Sequence, residues 1–174
     1  GVLPPPRNYL KRLREICDKH DILLIFDEVI TGFGRLGKAT ASEYFGVTPD
    51  IISCAKAITN GIIPMGAAVV SKEIYDTMMD EADMPIELFH GYTYSGHPIA
   101  SAAGLAALDI YRDEDLFNKA GKTAKYLENI VHQLKNDKNV IDIRNLGLVA
   151  AIEVAPRPGC LLYTSPSPRD EKVS

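Results

Sequence analysis

Residues 22–28 read ILLIFDE, an apolar run that ends in the two acids Asp27 and Glu28. An apolar run without alternation is typical of a parallel strand that is covered on both faces. A second run, at residues 51–55, leads directly to Lys56 in the stretch PDIISCAKAITNG, residues 49–61. A lysine at the end of a buried strand is unfavourable unless it is paired or its pKa falls. Either Lys56 only looks buried in the sequence, or its position is what makes it functional.

The rest of the chain alternates between helical and strand patterns. Apolar residues recur at helical spacing over residues 8–20, 71–79, 98–112 and 115–136, and a third apolar run covers residues 66–70. Short strands are predicted at residues 140–143 and 148–154, on either side of Gly147. Helices that alternate with buried strands, followed by a helix and a strand pair, predict an α/β domain joined to part of an α+β domain.

The composition excludes several classes of protein. With 46% hydrophobic and 24% charged residues the chain is globular in composition. A net charge of −4 gives no reason to expect nucleic acid or an anionic membrane as a partner. No apolar run is long enough to cross a membrane, and no signal peptide opens the chain. Cys17, Cys54 and Cys160 have neither CxxC nor metal-ligand spacing, which favours a reducing compartment. We therefore expect a cytoplasmic protein without a metal.

Both ends of the chain suggest a fragment. The sequence begins at Gly1 rather than at a methionine. Residues 159–174 lose all periodicity and place prolines among serines and charged residues, a composition that cannot bury enough surface to order itself. We expect this segment to be a non-native or disordered tail.

The stretch GFGRLGK, residues 32–38, matches two nucleotide-binding patterns only in part. Gly32, Gly34 and Gly37 fit G-x-G-x-x-G, but five residues separate the first glycine from the strand and two of them are acidic. Ala39 stands where a P-loop needs Ser or Thr. A tight loop that requires positive φ angles is the better interpretation. A nucleotide-binding module that uses residues 32–37 remains the alternative outside enzymes.

Other combinations of polar residues do not indicate a catalytic or metal site. Asp27 and Glu28 are neighbours on one strand, so their side chains point to opposite faces and cannot form an acid–base pair. No metal-ligand spacing relates the four histidines, which are His20, His90, His97 and His132.

Asp27 and Lys56 form the combination that can carry a reaction. In open α/β sheets ligands bind outside the carboxyl ends of the strands, so an acid and a lysine at two such ends would face one crevice. A desolvated lysine there becomes a nucleophilic amine that can form a Schiff base. A carboxylate can hold a proton on a heterocyclic nitrogen, and the two together suit pyridoxal phosphate. From the spacing alone, an ordinary salt bridge is equally compatible.

Three linked motifs resemble a known family. LLIFDEVITGFGRLG, PDIISCAKAITNGIIPMGA and HGYTYSGHPIA, at residues 23–37, 49–67 and 90–100, resemble in order and spacing the signature of class III pyridoxal-phosphate aminotransferases. The resemblance covers about residues 1–156 and is strongest to the ω-amino acid:pyruvate branch, which includes β-alanine–pyruvate transaminase. It implies transfer of an amino group from an ω-amino acid or primary amine to pyruvate.

The resemblance also implies a role for individual residues. Lys56 matches the lysine that forms the Schiff base with pyridoxal 5'-phosphate. Asp27 matches the acid that pairs with the pyridine nitrogen, and Val29 the apolar residue on the ring face. Thr93 matches the threonine that reaches the cofactor phosphate of the partner subunit, which implies a homodimer or larger assembly with shared sites.

The fold implied is the type I pyridoxal-phosphate transferase fold. Residues 1–112 would belong to the C-terminal part of the large cofactor-binding domain, and residues 113–158 to the start of the small domain. The upstream phosphate loop and the downstream substrate-binding residues would lie outside this chain, so we expect these residues alone to be inactive. Within the family, an aminomutase or a decarboxylating transaminase remains open as an alternative.

Overall fold

The computed structural model describes residues 2–80 and 93–156 of the 174-residue chain. The predicted tail at residues 159–174 lies outside the described residues, as do His90 and Tyr92. The helices and strands, in chain order, are α1 (Tyr9–Lys19), β1 (Ile25–Asp27), α2 (Ala41–Phe45), β2 (Ile51–Cys54), β3 (Ala67–Val70), α3 (Lys72–Asp80), α4 (Pro98–Asp113), α5 (Leu116–Gln133), β4 (Val140–Leu146) and β5 (Val149–Val154). Single 3-10 turns follow β2 at Lys56–Ile58 and α5 at Leu134–Asn136.

Two separate sheets are present in the described part of the chain. The first has the order β1-β2-β3, and the second consists of β4 and β5. β1 and β2 are parallel, with Ile25 opposite Ile51 and Asp27 opposite Ser53. β4 and β5 form an antiparallel hairpin. The mixture of helices and strands agrees with the α/β class that the sequence predicts.

The structure differs from the sequence prediction at β1 and β3. β3 runs antiparallel to β2, because the connection between them is a short loop without the crossover helix that a parallel strand requires. Ile22 and Leu23 precede β1 rather than forming part of it. Only one face of β1 is covered by the described residues, since Ile25 is 59% exposed while Phe26 is buried.

The covered face of β1 packs against α1. Buried Cys17, Leu24, Phe26 and Val47 form a core cluster. Leu10, Leu13, Phe45 and Ile52 pack around this cluster. Each fully buried Leu or Phe side chain contributes about 1.5–3 kcal/mol relative to an exposed one. This packing fixes α1 beneath the sheet and leaves the carboxyl edge of β1 and β2 open.

Asp50 joins three elements just before β2. Its Oδ2 accepts hydrogen bonds from the Leu24 amide at 2.6 Å and from Arg14 Nη1 at 2.7 Å. Its own amide donates to the Leu24 carbonyl at 2.8 Å, and its carbonyl accepts from the Ser71 amide at 2.8 Å. The Arg14 hydrogen bond, followed by that of the Leu24 amide, lowers the pKa of Asp50 below its ordinary value. The ionised carboxylate therefore stabilises the sheet.

No helix in residues 2–80 or 93–156 combines the length and the apolar character needed to cross a membrane.

We predict that the Asp50→Asn substitution weakens the acid dependence of stability. A carboxyl whose folded pKa is lowered stabilises the protein above its unfolded pKa of about 3.9, and this contribution disappears as the pH falls through the folded pKa. Urea unfolding from pH 7 down to pH 2 measures the effect. The variant should be less stable at pH 7 and should approach the wild type as the pH falls below about 4.

The matched control is Asp21→Asn. Asp21 is exposed, has a φ of +54° that asparagine also tolerates, and forms no ion pair with any described residue. If both variants change the pH profile equally, the Asp50 contacts do not carry the effect.

Candidate functional site

Asp27 is the last residue of β1 and points away from the core. It is exposed, whereas its neighbours Phe26 and Glu28 are buried, as expected for side chains that alternate across a strand. Its Oδ1 accepts a hydrogen bond from the Val29 amide at 3.0 Å. This local bond fixes the carboxylate, and Oδ2 has no hydrogen bond within the described chain.

Lys56 lies two residues after the end of β2 and begins the 3-10 turn. Its φ is +47°, in the left-handed region that a non-glycine residue rarely adopts. Residues held in such conformations cost on the order of 1–3 kcal/mol and cluster at active sites. Five other non-glycine residues in the described part of the chain also have a positive φ, so the backbone adds to the case for Lys56 only together with its position at the strand end.

The parallel pairing of β1 and β2 brings Asp27 and Lys56 to one edge of the sheet. Asp27 is opposite Ser53, and the Glu28 amide donates to the Ser53 carbonyl at 2.8 Å. Carboxyl ends of adjacent parallel strands meet at the same edge, which is where ligands bind in α/β sheets. Lys56 is exposed, so the described residues do not supply the desolvation that the sequence predicts for it.

Val29 and Thr93 have different relations to this edge. Val29 is half-buried and connected to Asp27 by its amide. Thr93 is exposed and begins the turn that precedes α4. No hydrogen bond between described residues connects Thr93 to Asp27 or Lys56.

The donor set at this edge fits a pyridoxal cofactor in part. An exposed primary amine can condense with an aldehyde, and an exposed carboxylate can accept a hydrogen bond from a protonated ring nitrogen. In residues 2–80 and 93–156, no group of three His, Cys, Asp or Glu side chains is arranged to hold a metal ion.

Sequence reasoning missed the role of Glu28. It is 1% exposed, and its carboxylate accepts from Thr31 Oγ1 at 2.8 Å, the Ala41 amide at 2.7 Å and the Ser42 amide at 2.8 Å. Two of these donors are free amides at the start of α2, which need such acceptors. Glu28 thereby ties the loop after Asp27 to α2.

One signal in the sequence pointed to the start of α2. Residues 40–43 read TASE, a capping-box pattern, and Thr40 Oγ1 accepts from the Glu43 amide at 3.0 Å. The pattern locates the helix start, but nothing local indicates that Glu28 reaches it from 13 residues away.

The glycine-rich stretch is a packed structural loop. Gly34 and Gly37 have φ angles of +102° and +80°. A Cβ at Gly37 would lie 2.7 Å from Gly121 Cα, and one at Gly34 would lie 2.9 Å from the Phe117 ring. Because α5 occupies the space at both glycines, the stretch does not form a phosphate cradle. The preference for a tight loop is thus supported over the nucleotide-binding alternative.

Arg35 and Cys54 do not contribute reactive groups. Arg35 is exposed and forms no ion pair with a described residue, while its carbonyl accepts from the Leu148 amide at 2.8 Å. Burial, with a smaller contribution from the charge of Glu28, raises the pKa of the Cys54 thiol. Cys54 therefore stays protonated at neutral pH and is a poor nucleophile.

Comparison with known proteins gives a consistent result. Residues 1–160 match the family "Aminotransferase class-III". The chain is 63% identical over 159 residues to an omega-aminotransferase of Caulobacter vibrioides, a match that covers 91% of this chain and 36% of that protein. It is 59% identical over 161 residues to a beta-alanine–pyruvate aminotransferase of Pseudomonas aeruginosa, with the same coverage of 91% and 36%.

A solved structure shows the same relation. The taurine:2-oxoglutarate aminotransferase from Bifidobacterium kashiwanohense, in complex with PLP and glutamate, matches with a TM-score of 0.82 and 39% identity. The match covers 88% of this chain and 34% of that one. The chain thus spans about a third of the length of the relatives it matches.

We predict that Glu28→Gln destabilises the fold by about 1–3 kcal/mol, because an amide nitrogen would replace one of two oxygens that both accept hydrogen bonds in a buried site. Urea unfolding at pH 7 measures the change. Glu128→Gln, on the exposed surface of α5 and without a hydrogen bond to any described residue, is the control and should change stability little. Equal stability of the two variants would contradict the role assigned to Glu28.

A second prediction concerns Gly37→Ala. The methyl group would add about 1–3 kcal/mol of overpacking against Gly121 to about 1–2 kcal/mol for the left-handed backbone. Gly46→Ala is the matched control, since Gly46 also has a positive φ of +63° but a Cβ added there would meet nothing within 4 Å. Thermal unfolding should show the larger loss for Gly37→Ala, and equal losses would show that the contact with α5 is unimportant.

Proposed function

Because this chain belongs to the class III aminotransferase family, we propose that it forms part of a pyridoxal 5'-phosphate-dependent transaminase. Its substrates are an ω-amino acid or other primary amine, such as β-alanine, and pyruvate as the keto acid. The observation that carries the proposal is the placement of Asp27 and the strained Lys56 at the carboxyl edge of adjacent parallel strands. The identities of 63% and 59% to an omega-aminotransferase and a beta-alanine–pyruvate aminotransferase support the substrate class.

The cofactor supplies, when bound, an aldehyde that condenses with amines and a ring that accepts the electrons of a broken C–H bond. Lys56 Nζ would hold the cofactor through its aldehyde and would yield that position to the amine substrate. The freed Nζ would then act as general base and acid, moving the proton that is removed from the substrate carbon. Lys56 thus both holds the cofactor and moves the proton.

Asp27 and Val29 orient the ring. The Val29 amide engages Oδ1 of Asp27, which leaves Oδ2 for the hydrogen bond from the protonated ring nitrogen. That contact would keep the proton on the ring and so preserve its capacity to accept electrons. The half-buried Val29 side chain would pack on the ring face.

The complete enzyme extends beyond this chain. We assign residues 1–112 to the large cofactor-binding domain and residues 113–158 to the start of the small domain, an assignment that the two separate sheets support. Beside Asp27, Ile25 is 59% exposed and Leu23 is 58% exposed, an apolar surface that further chain would cover. Thr93 would donate to the cofactor phosphate of the partner in a homodimer. Reduced Cys17 and Cys54 fit a cytoplasmic enzyme.

The test is borohydride reduction of the full-length enzyme followed by peptide mass spectrometry. We expect the cofactor to be fixed on Lys56 in the wild type and on no lysine in Lys56→Ala. Transamination of β-alanine with pyruvate should fall by at least about 10²-fold in that variant, because the proton carrier is lost. Lys72→Ala, which alters an exposed lysine of α3, should retain both label and activity.

Four outcomes would contradict the proposal in different ways. Label that persists in Lys56→Ala would contradict the role of this lysine. Activity with 2-oxoglutarate but not with pyruvate would exclude the proposed keto acid. Conversion of the amine without consumption of any keto acid would favour an aminomutase, and release of carbon dioxide a decarboxylating transaminase. The 174-residue chain alone should give neither label nor activity.

A further inference from the structure

Tyr111 connects α4 to the turn that carries Lys56. The tyrosine is 8% exposed, and its hydroxyl donates to the Ala57 carbonyl at 2.5 Å. Asn60 Nδ2 donates to the same hydroxyl oxygen at 2.8 Å. Ala57 directly follows Lys56, so the hydroxyl binds the backbone next to the reactive amine.

Ile58 and Thr59 are buried, and the Thr59 hydroxyl donates to the Ile63 carbonyl at 2.6 Å, but few hydrogen bonds restrain the backbone of residues 56–58. Its internal bonds are a 3.1 Å bond from the Ile58 amide to the Ala55 carbonyl and a 3.4 Å bond from the Thr59 amide to the Lys56 carbonyl. Lys56 and Asn60 both have positive φ angles, of +47° and +53°. Within the described chain, Tyr111 is the only side chain outside residues 55–63 that hydrogen-bonds to this turn. Its hydroxyl is therefore well placed to hold the strained backbone in position.

The helix approaches the turn closely at a second point. Gly104 lies on the same face of α4, seven residues before Tyr111. A Cβ at Gly104 would lie 3.7 Å from the Ile58 carbonyl oxygen and 3.5 Å from Met65 Sδ. These are ordinary van der Waals distances, so α4 lies in direct contact with the turn at Gly104 as well as at Tyr111.

The ring of Tyr111 contacts the other half of the site. It stacks on Phe33, with 6.1 Å between ring centroids and an interplanar angle of 25°. Phe33 belongs to the loop that begins directly after Asp27, and its amide donates to the Ala39 carbonyl at 2.7 Å. Phe117 of α5 packs on the tyrosine ring at 5.5 Å and holds it in place. One side chain therefore touches both the loop after the acid and the turn of the lysine.

We propose that Tyr111 is a positioning residue that fixes the Lys56 turn relative to Asp27. The inference rests on the proposed function, since it assumes that Lys56 Nζ transfers a proton while Asp27 holds the ring. Such a transfer is sensitive to geometry, and a displacement of about 1 Å reduces a rate by about 10²-fold. The hydroxyl fixes the position of the turn that carries Lys56, and the ring fixes the position of the loop after Asp27.

The test compares Tyr111→Phe with the wild type in the full-length enzyme. The substitution removes the hydroxyl and keeps the ring. We expect kcat to fall by about 10- to 100-fold with little change in KM for the amine, because the substitution slows proton transfer and leaves substrate binding unchanged. In the cofactor-free protein, hydrogen exchange at the Ile58 and Thr59 amides should become about 2- to 10-fold faster, while other amides change little.

Tyr126→Phe is the matched control. Tyr126 lies on α5, is 67% exposed and forms no hydrogen bond with a described residue, so both measurements should match the wild type. Asn60→Asp is a second variant: aspartate also tolerates the positive φ, and it replaces the amide that donates to the hydroxyl by an acceptor. It should accelerate exchange in the same turn.

The outcomes separate this inference from the proposed function. If Tyr111→Phe matches Tyr126→Phe in kcat and in amide exchange, the positioning role is wrong. If exchange rises uniformly through the fold and kcat is unchanged, Tyr111 serves stability alone, and the inference is again wrong. If borohydride does not label Lys56 in the wild type, the proposed function fails, whereas local exchange in Tyr111→Phe still measures the restraint on the turn.

Discussion

The parallel pairing of β1 with β2 is the constraint on which the site depends. With Asp27 opposite Ser53, the two strands end at the same edge, and residues that follow them in sequence are brought together across a separation of about thirty positions. Core packing on one side of β1 and the Asp50 contacts at the start of β2 both act to hold this register. A shift of one residue would turn Asp27 toward α1 and Glu28 toward the edge.

Two adjacent carboxylates serve different purposes because a strand alternates its faces. Glu28 is buried and accepts hydrogen bonds from amides at the start of α2, so both of its oxygens are used to hold α2 in place. Asp27 keeps one oxygen open at the edge. The residue that holds α2 and the residue proposed for the cofactor ring are thus neighbours in sequence, and the hydrogen bonds of Glu28 connect the loop after Asp27 to α2.

The sequence predicted the parts of this arrangement that follow from local pattern. The apolar run before Asp27, the helices from Pro98 and from Leu116, and the tight glycine loop are all visible as periodicity or turn chemistry. The antiparallel direction of β3 and the partners of Glu28 and Tyr111 were not predicted, because they depend on contacts between residues far apart in the chain. The exposure of Lys56 also differs from the prediction, since desolvation depends on whatever surrounds the edge beyond the described residues.

The left-handed backbone at Lys56 has an evolutionary consequence. Glycine or asparagine would adopt a φ of +47° more readily, so folding and the proposed role of the lysine favour different residues at this one position. A descendant freed from selection for activity would lose little by replacing the lysine and would relieve strain in doing so. A lysine retained at this position therefore records continued selection for chemistry, and its replacement by glycine or asparagine would identify a relative that has become a binding or scaffold protein.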